Sequence, residues 1–198
     1  MESDHRKFFW SLHREVLYLF YRWKIYRQLF DSGADNLKLL NQSRSNVFAL
    51  LQNLIMDDVF LTLCRLTDPA KSNGKKNLSL RYFLGAVGAT LNDQLRKDLK
   101  RKLARLDNLT KSVRDHRRRR IAHLDLRYAG EAEALPPVLH RDLDDSLELL
   151  NSVMRDLHVA LFDASTDYKE PAIAYGCDGD YLLSVLREAH EPGLGDKE

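Results

Sequence analysis

Apolar side chains recur at spacings of three and four along four long stretches of this chain, a rhythm that admits little besides helices packed side by side. The first seam reads Phe9, Leu12, Val16, Leu19, Trp23, Tyr26 and Phe30, in a helix expected from about Asp4 to Ser32 that Gly33 stops. A second helix is expected from about Asp35 to Thr67, because Pro69 disfavours helical backbone in Asp68. Its seam reads Leu37, Leu40, Arg44, Val47, Leu51, Leu54, Asp58, Leu61 and Arg65, so three polar residues interrupt an apolar stripe. A short helix from about Asn77 to Val87 turns Leu80, Phe83, Leu84 and Val87 to one side. A basic helix then spans about Thr90 to Leu126. A fifth spans about Arg141 to Phe162, carrying Leu143, Leu147, Leu150, Val153, Met154, Leu157 and Leu161. The last is expected from about Asp180 to Glu191, amphipathic through Tyr181, Leu182, Val185 and Leu186. The expected fold class is all-α. It is an up-and-down helical bundle with four long helices, a short helix before the basic helix and a C-terminal helix. Residues 1–191 are expected as a single domain and 192–198 as a disordered tail.

Five prolines and nine glycines in 198 residues fall mostly between the periodic segments, and no β-period segment stands out. The hydrophobic share of 44% suits a packed core. No run approaches the roughly 20 apolar residues of a membrane span, so no membrane partner is expected. Met1 to Lys7 lacks the apolar stretch of a secretory leader. Cys64 and Cys177 show no partner spacing and read as reduced thiols, in keeping with a cytoplasmic protein.

The net charge of +2 conceals a steep asymmetry. Residues 96–127 hold 13 Lys and Arg against 4 Asp and Glu, a net of +9, whereas residues 128–198 hold 5 against 16, a net of −11. A helix of that basic density is a footprint for a polyanion. The acidic part either screens it or pairs with it.

The basic helix ends in Val113-Arg114-Asp115-His116-Arg117-Arg118-Arg119-Arg120-Ile121-Ala122-His123-Leu124-Asp125. Guanidinium offers phosphate a planar fork of donors, and imidazole moves a proton near neutral pH. At about 100° per residue, Arg117 falls within the arc of Leu99, Leu103, Leu106, Val113, Ile121 and Leu124. Arg119 then points to solvent, Arg118 and Arg120 lie on opposite flanks, and His116, Arg120 and His123 share one shoulder. An arginine aimed at an apolar arc needs an anion or a fixed partner to offset its desolvation. Arg117 is therefore the arginine that most demands an explanation.

Arg117, five intervening residues and then His123, ending Ile121-Ala122-His123-Leu124-Asp125, resembles the signature of the HEPN superfamily of all-helical RNases. The wording is closest to its abortive-infection branch. That likeness extends to Arg65-Leu66-Thr67-Asp68-Pro69 and Asn77-Leu78-Ser79-Leu80. Family members usually carry Asn, Asp or His after the signature arginine. Arg118 stands there instead, so a register beginning at Arg118 stays open. The tyrosine that antitoxins modify in one sub-branch is replaced by Asp125, and that mode of control is not expected.

The resemblance implies a metal-independent endoribonuclease in which the 2′-hydroxyl attacks the phosphate, leaving a 2′,3′-cyclic phosphate. It makes Arg117 and His123 catalytic. Arg118, Arg120 and His116 are candidates to bind substrate, and Asp58, Arg65 and Asp68 are candidates to orient the arginine cluster from behind. No cofactor is implied, and no metal, since four adjacent arginines would repel a cation held between His116 and His123. The implied partners are RNA, a second copy completing a composite cleft, and an antitoxin or other regulatory protein. The implied setting is phage defence or toxin–antitoxin growth arrest. The rival readings are a non-catalytic module binding RNA, nucleotide or a partner protein, and a purely structural bundle in which Arg117 pairs with Asp58 or Asp68.

Overall fold

The structure is a computed structural model that describes residues 2–123, 125–129 and 134–190. The chain is all-α, a helical bundle. Its order is α1 (Glu2–Phe30), α2 (Ala34–Thr67), a hairpin of β1 (Lys71–Ser72) and β2 (Lys75–Lys76), and α3 (Leu80–Val87). These are followed by α4 (Asp93–Leu109), α5 (Lys111–His116), a π-helical turn (Arg117–Ile121), α6 (Leu126–Ala129), α7 (His140–Phe162) and α8 (Gly179–His190). Two compact units form, one from residues 1–20 and 59–171 and the other from residues 21–58 and 172–198. The expected tail at 192–198 lies outside the described residues, as does Leu124.

In the first unit the α1 seam is buried as expected through Phe9, Leu12, Val16 and Leu19. The second half of α2 adds Val59, Phe60, Leu63, Cys64 and Leu66, and α3 contributes all four of its expected apolar residues. Leu99, Leu103 and Leu106 of α4 are buried, and so are Leu143, Leu147, Leu150, Val153, Met154 and Leu157 of α7. The basic and acidic parts do pair at one point. Lys102 on α4 reaches Asp156 at 2.6 Å and Ser152 at 2.9 Å on α7, and Asp98 on its own helix at 2.9 Å. Burial alone would lower the lysine pKa, but those carboxylates hold it above its ordinary value.

The second unit buries Trp23, Tyr26, Leu29 and Phe30 of α1 with Leu40 and Phe48 of α2. Gln28 clamps the start of α8, donating to Asp178 at 3.1 Å and Asp180 at 2.7 Å and accepting from the Gly179 N–H at 3.0 Å.

Four expectations are corrected. Helix α2 kinks at Arg44 (φ −168°, ψ 74°), which resets its phase. Val47, Leu51 and Leu54 of the expected seam are consequently exposed, and Phe48 and Val59 are buried instead; Leu37, before the kink, is exposed as well. On α8, Leu183 is buried, whereas Tyr181, Leu182 and Val185 are exposed. The connection from Ala70 to Lys76, where the sequence shows no β period, holds a small hairpin. Asn73 (φ 47°) and Gly74 (φ 78°) turn it, because a two-residue hairpin loop of this hand needs positive φ at both positions. Finally, Asn46–Thr67 is long and apolar enough to cross a membrane by length and composition, with a mean hydropathy of 1.6. A core helix meets the same criterion, and the C-terminal half of this stretch is largely buried in the first unit.

His13 and His158 face each other in the first unit with ring centroids 5.9 Å apart. His13 Nδ1 lies 2.7 Å from the buried Tyr168 hydroxyl, and His158 Nδ1 lies 3.2 Å from Thr166. Burial depresses both histidine pKa values, and at His13 the neighbouring His158 depresses it further. The unfolded chain therefore binds protons first as pH falls. Stability is full above about pH 6.5 and declines below it. Melting temperatures recorded from about pH 8 down to about pH 5 will show that loss, with a shallower slope in His158→Leu. In the second unit a Cβ on Gly179 would lie 2.8 Å from the Gln28 Cβ. Gly179→Ala is expected to cost about 1–3 kcal/mol in urea unfolding.

Candidate functional site

The site starts at the end of α2, where Pro69 disfavours helical backbone in Asp68 and leaves it the first residue past the helix. The hairpin that follows is fastened to that turn. Asn77 donates its side-chain amide to the Pro69 carbonyl at 2.9 Å, and its backbone N–H to the Ala70 carbonyl at 2.9 Å. Ser79 then caps α3 by accepting from the Tyr82 N–H at 3.3 Å. The two upstream segments singled out in the sequence thus form one rigid corner that presents Asp68.

Arg114 and Arg117, three apart on one helical face, both point at this corner. Arg117 Nη1 donates to both Asp68 oxygens at 2.8 Å, and Arg114 Nη1 donates to Oδ1 at 3.0 Å. Arg114 also holds the Thr67 carbonyl at 3.1 Å and the Thr67 hydroxyl at 2.6 Å. Beneath them, burial pushes the Cys64 thiol pKa up, although Arg114 and Arg117 pull the other way. Burial would likewise lower the Arg117 pKa, but its hydrogen bonds to Asp68 keep it above the ordinary arginine value. Its charge is permanent. The ion pairs run further, since Asp107 lies 3.8 Å from Arg114 and accepts a hydrogen bond from Arg81.

The basic helix does not continue to Leu126 as expected. It widens into a π turn in which the Ala122 N–H reaches the Arg117 carbonyl at 2.8 Å and the Asp125 N–H reaches the Arg119 carbonyl at 3.1 Å. Each widened turn holds more residues than an α turn, so the angular register expected beyond Arg117 is lost. His116, Arg120 and His123 therefore share no shoulder. His123 stands past the end of the π turn, exposed. It lines an open cleft of ≈ 610 Å³ together with Lys111, Arg114, Asp115, Arg117, Arg118 and Ala122.

The other sequence candidates separate. Arg118 lines the cleft and pairs with Asp115 at 2.7 Å, whereas Arg120 is exposed and outside the cleft lining. His116 turns away. Its Nε2 meets the Pro136 carbonyl at 2.9 Å, its ring edge faces Phe60, and its buried Nδ1 has no hydrogen-bond partner. Arg119, expected in solvent, lies over the Tyr128 ring at 4.8 Å and donates to its hydroxyl. Of the three residues expected behind the arginines, only Asp68 touches them. Arg65 pairs with Glu15 at 2.7 Å, and Asp58 pairs with Arg22 at 2.9 Å in the other unit. Sequence reasoning missed Arg114, although its position three before Arg117 on the same face was a readable signal.

The described residues thus place Arg117, anchored by Asp68, and His123 on one open cleft of an all-helical fold. The AbiU2 family model, HEPN_AbiU2, matches residues 2–182, and the chain belongs to that family. No curated protein and no solved structure matches it.

Asp68→Ala leaves two partly buried guanidinium groups without their carboxylate. A loss of about 2–3 kcal/mol is expected in denaturant unfolding, moderated by their remaining exposure. Arg65→Ala removes the solvent-facing pair with Glu15 and a 3.3 Å hydrogen bond to the Thr62 hydroxyl, and should cost about 1 kcal/mol or less in the same assay.

Proposed function

We propose that the protein cleaves RNA without a metal, using the strand's own 2′-hydroxyl as nucleophile. The observation that carries this reading is that Arg117 and His123 line one open cleft, with Arg117 fixed from behind by Asp68. Arg117 is also 33% exposed, so a phosphate can reach it.

His123 takes the proton of the 2′-hydroxyl, the 2′-oxygen bonds to phosphorus, and the bond from phosphorus to the 5′-oxygen breaks. Arg117 offsets the negative charge that builds on the phosphoryl oxygens, and because Asp68 already orients it, little reorganisation is needed during reaction. The departing 5′-oxygen must receive a proton. One imidazole cannot be base and acid at once, which supports a homodimer in which the partner's imidazole serves the second role. The products are a 2′,3′-cyclic phosphate and a 5′-hydroxyl, and DNA is not cut. Growth arrest or phage defence, restrained by an antitoxin or other regulatory protein, is the setting proposed with this activity.

A binding module that cuts nothing is the second reading. The pairing of Arg117 with Asp68 favours it, because that carboxylate already neutralises part of the charge offered to phosphate.

Incubation of the purified protein with RNA under chelator separates the two. Cyclic-phosphate ends are expected, with His123→Ala and Arg117→Ala each lowering the rate by at least about 10²-fold while the native mass is unchanged. Salt-sensitive RNA binding without those ends would instead establish the module.

A further inference from the structure

The ion-pair chain that begins at Arg117 does not end at the cleft of His123. It runs Arg117–Asp68–Arg114–Asp107–Arg81, three arginines against two aspartates, and it delivers Arg81 to a second opening in the same unit. That opening, ≈ 560 Å³, lies between α3 and α4 and is walled by Arg81, Arg96 and Lys100. No carboxylate is among its described lining residues. Gly85 and Gly88 leave one wall bare, and at Gly85 a Cβ would meet nothing within 4 Å.

The three cations are held differently. Arg81 is aimed by Asp107 and by the Leu103 carbonyl, which it reaches at 3.3 Å. Arg96 pairs only with Asp93, whose side chain is 78% exposed, a contact that water screens and a phosphate can displace. Lys100 is exposed and has no acidic partner among the described residues. A fixed fork beside two loosely committed cations suits an anion that arrives from solution.

We propose that this second cleft is a phosphate subsite for the RNA strand, gripping the backbone away from the bond that is cut; the inference rests on RNA being the substrate. The spacing supports a strand over a small ligand. Helix α4 ends at Leu109 and α5 begins at Lys111, joined through Thr110, whose N–H reaches the Leu106 carbonyl and whose carbonyl accepts from the Arg114 N–H. Lys100 therefore lies about 14 Å back along α4 from Leu109 at about 1.5 Å per residue, with α5 and Arg117 beyond that end. The clefts adjoin where Arg81 and Arg114 meet Asp107, and a ligand that also covers Arg96 and Lys100 at one end and His123 at the other has to run along α4 and α5, as a strand of several nucleotides can. Between them the exposed Asp107 is flanked by Arg81 and Arg114, which offset its charge toward a crossing strand.

The test is binding of 2′-O-methyl oligoribonucleotides, which lack the free hydroxyl and cannot be cut. A trinucleotide and a strand of about twelve nucleotides are compared on the unmodified protein, on Arg96→Glu/Lys100→Glu, and on the charge-removing Arg96→Gln/Lys100→Gln. The unmodified protein should prefer the long strand by at least about tenfold, and both double variants should abolish that preference. Each should also make the salt dependence of long-strand affinity shallower by about one unit in log–log slope. An unchanged preference in both variants overturns the proposal, and so does an equal loss for both lengths, which would mark a site for free phosphate or nucleotide. The cleavage reading fails separately. Long-strand binding through this cleft with no cyclic-phosphate product on ordinary RNA keeps the subsite and removes the nuclease, whereas cleavage with an unaltered length preference does the reverse.

Discussion

One carboxylate holds the functional corner of this protein together. Arg114 and Arg117 stand three apart on one helical face, where two guanidinium groups repel and neither can be desolvated alone. Asp68 reaches both, at 3.0 Å and 2.8 Å, and turns a repulsive pair into a three-membered cluster. It can do so because Pro69 ends α2 immediately after it and Asn77 ties the following hairpin back to the same turn, which leaves Asp68 little freedom to lose. The cost of ordering the carboxylate is met by the local backbone, and the gain appears at the arginines.

The same arrangement explains how a helix so rich in positive charge packs at all. Its cations are committed one by one. Lys102 goes to Asp156 on α7, Arg81 of the neighbouring helix goes to Asp107, Arg118 goes to Asp115, and Arg119 goes to the ring and hydroxyl of Tyr128. Lys100 and His123 stay uncommitted and face solvent on the openings. The π turn adds to this separation. By widening the chain after Arg117 it takes His123 out of the α-helical register, and both residues border one cleft.

Much of the helical plan was legible in the residues themselves. The seam of α1 from Phe9 to Phe30 and that of α7 from Leu143 to Leu157 are buried as their spacing required, because an uninterrupted helix carries its phase from end to end. Where the backbone departs from ideal geometry the reading failed. The kink at Arg44 rotated the α2 stripe so that Val47, Leu51 and Leu54 face outward, and the π turn dissolved the shoulder expected for His116, Arg120 and His123. Periodicity assumes a constant angle per residue, and a single irregular residue invalidates every position after it. The HEPN identity was readable for the opposite reason, since Arg117, His123 and the Asp68-Pro69 turn are local strings that survive such shifts.

The sequence by itself determined that the chain is helical, that its basic charge gathers before residue 128, and that Arg117 must find an anion. These follow from side-chain period, composition and the cost of burying a charge, all of which act locally. Only the tertiary structure decided which anion it is. Asp58 and Asp68 were equal candidates on paper, yet Asp58 is taken by Arg22 and Asp68 by Arg114 and Arg117, because the choice depends on which residues distant in sequence the fold brings within about 3 Å. The clefts likewise exist only through packing. Arg81 and Lys100 come to line one opening through the way the helices meet, and no spacing along the sequence records that.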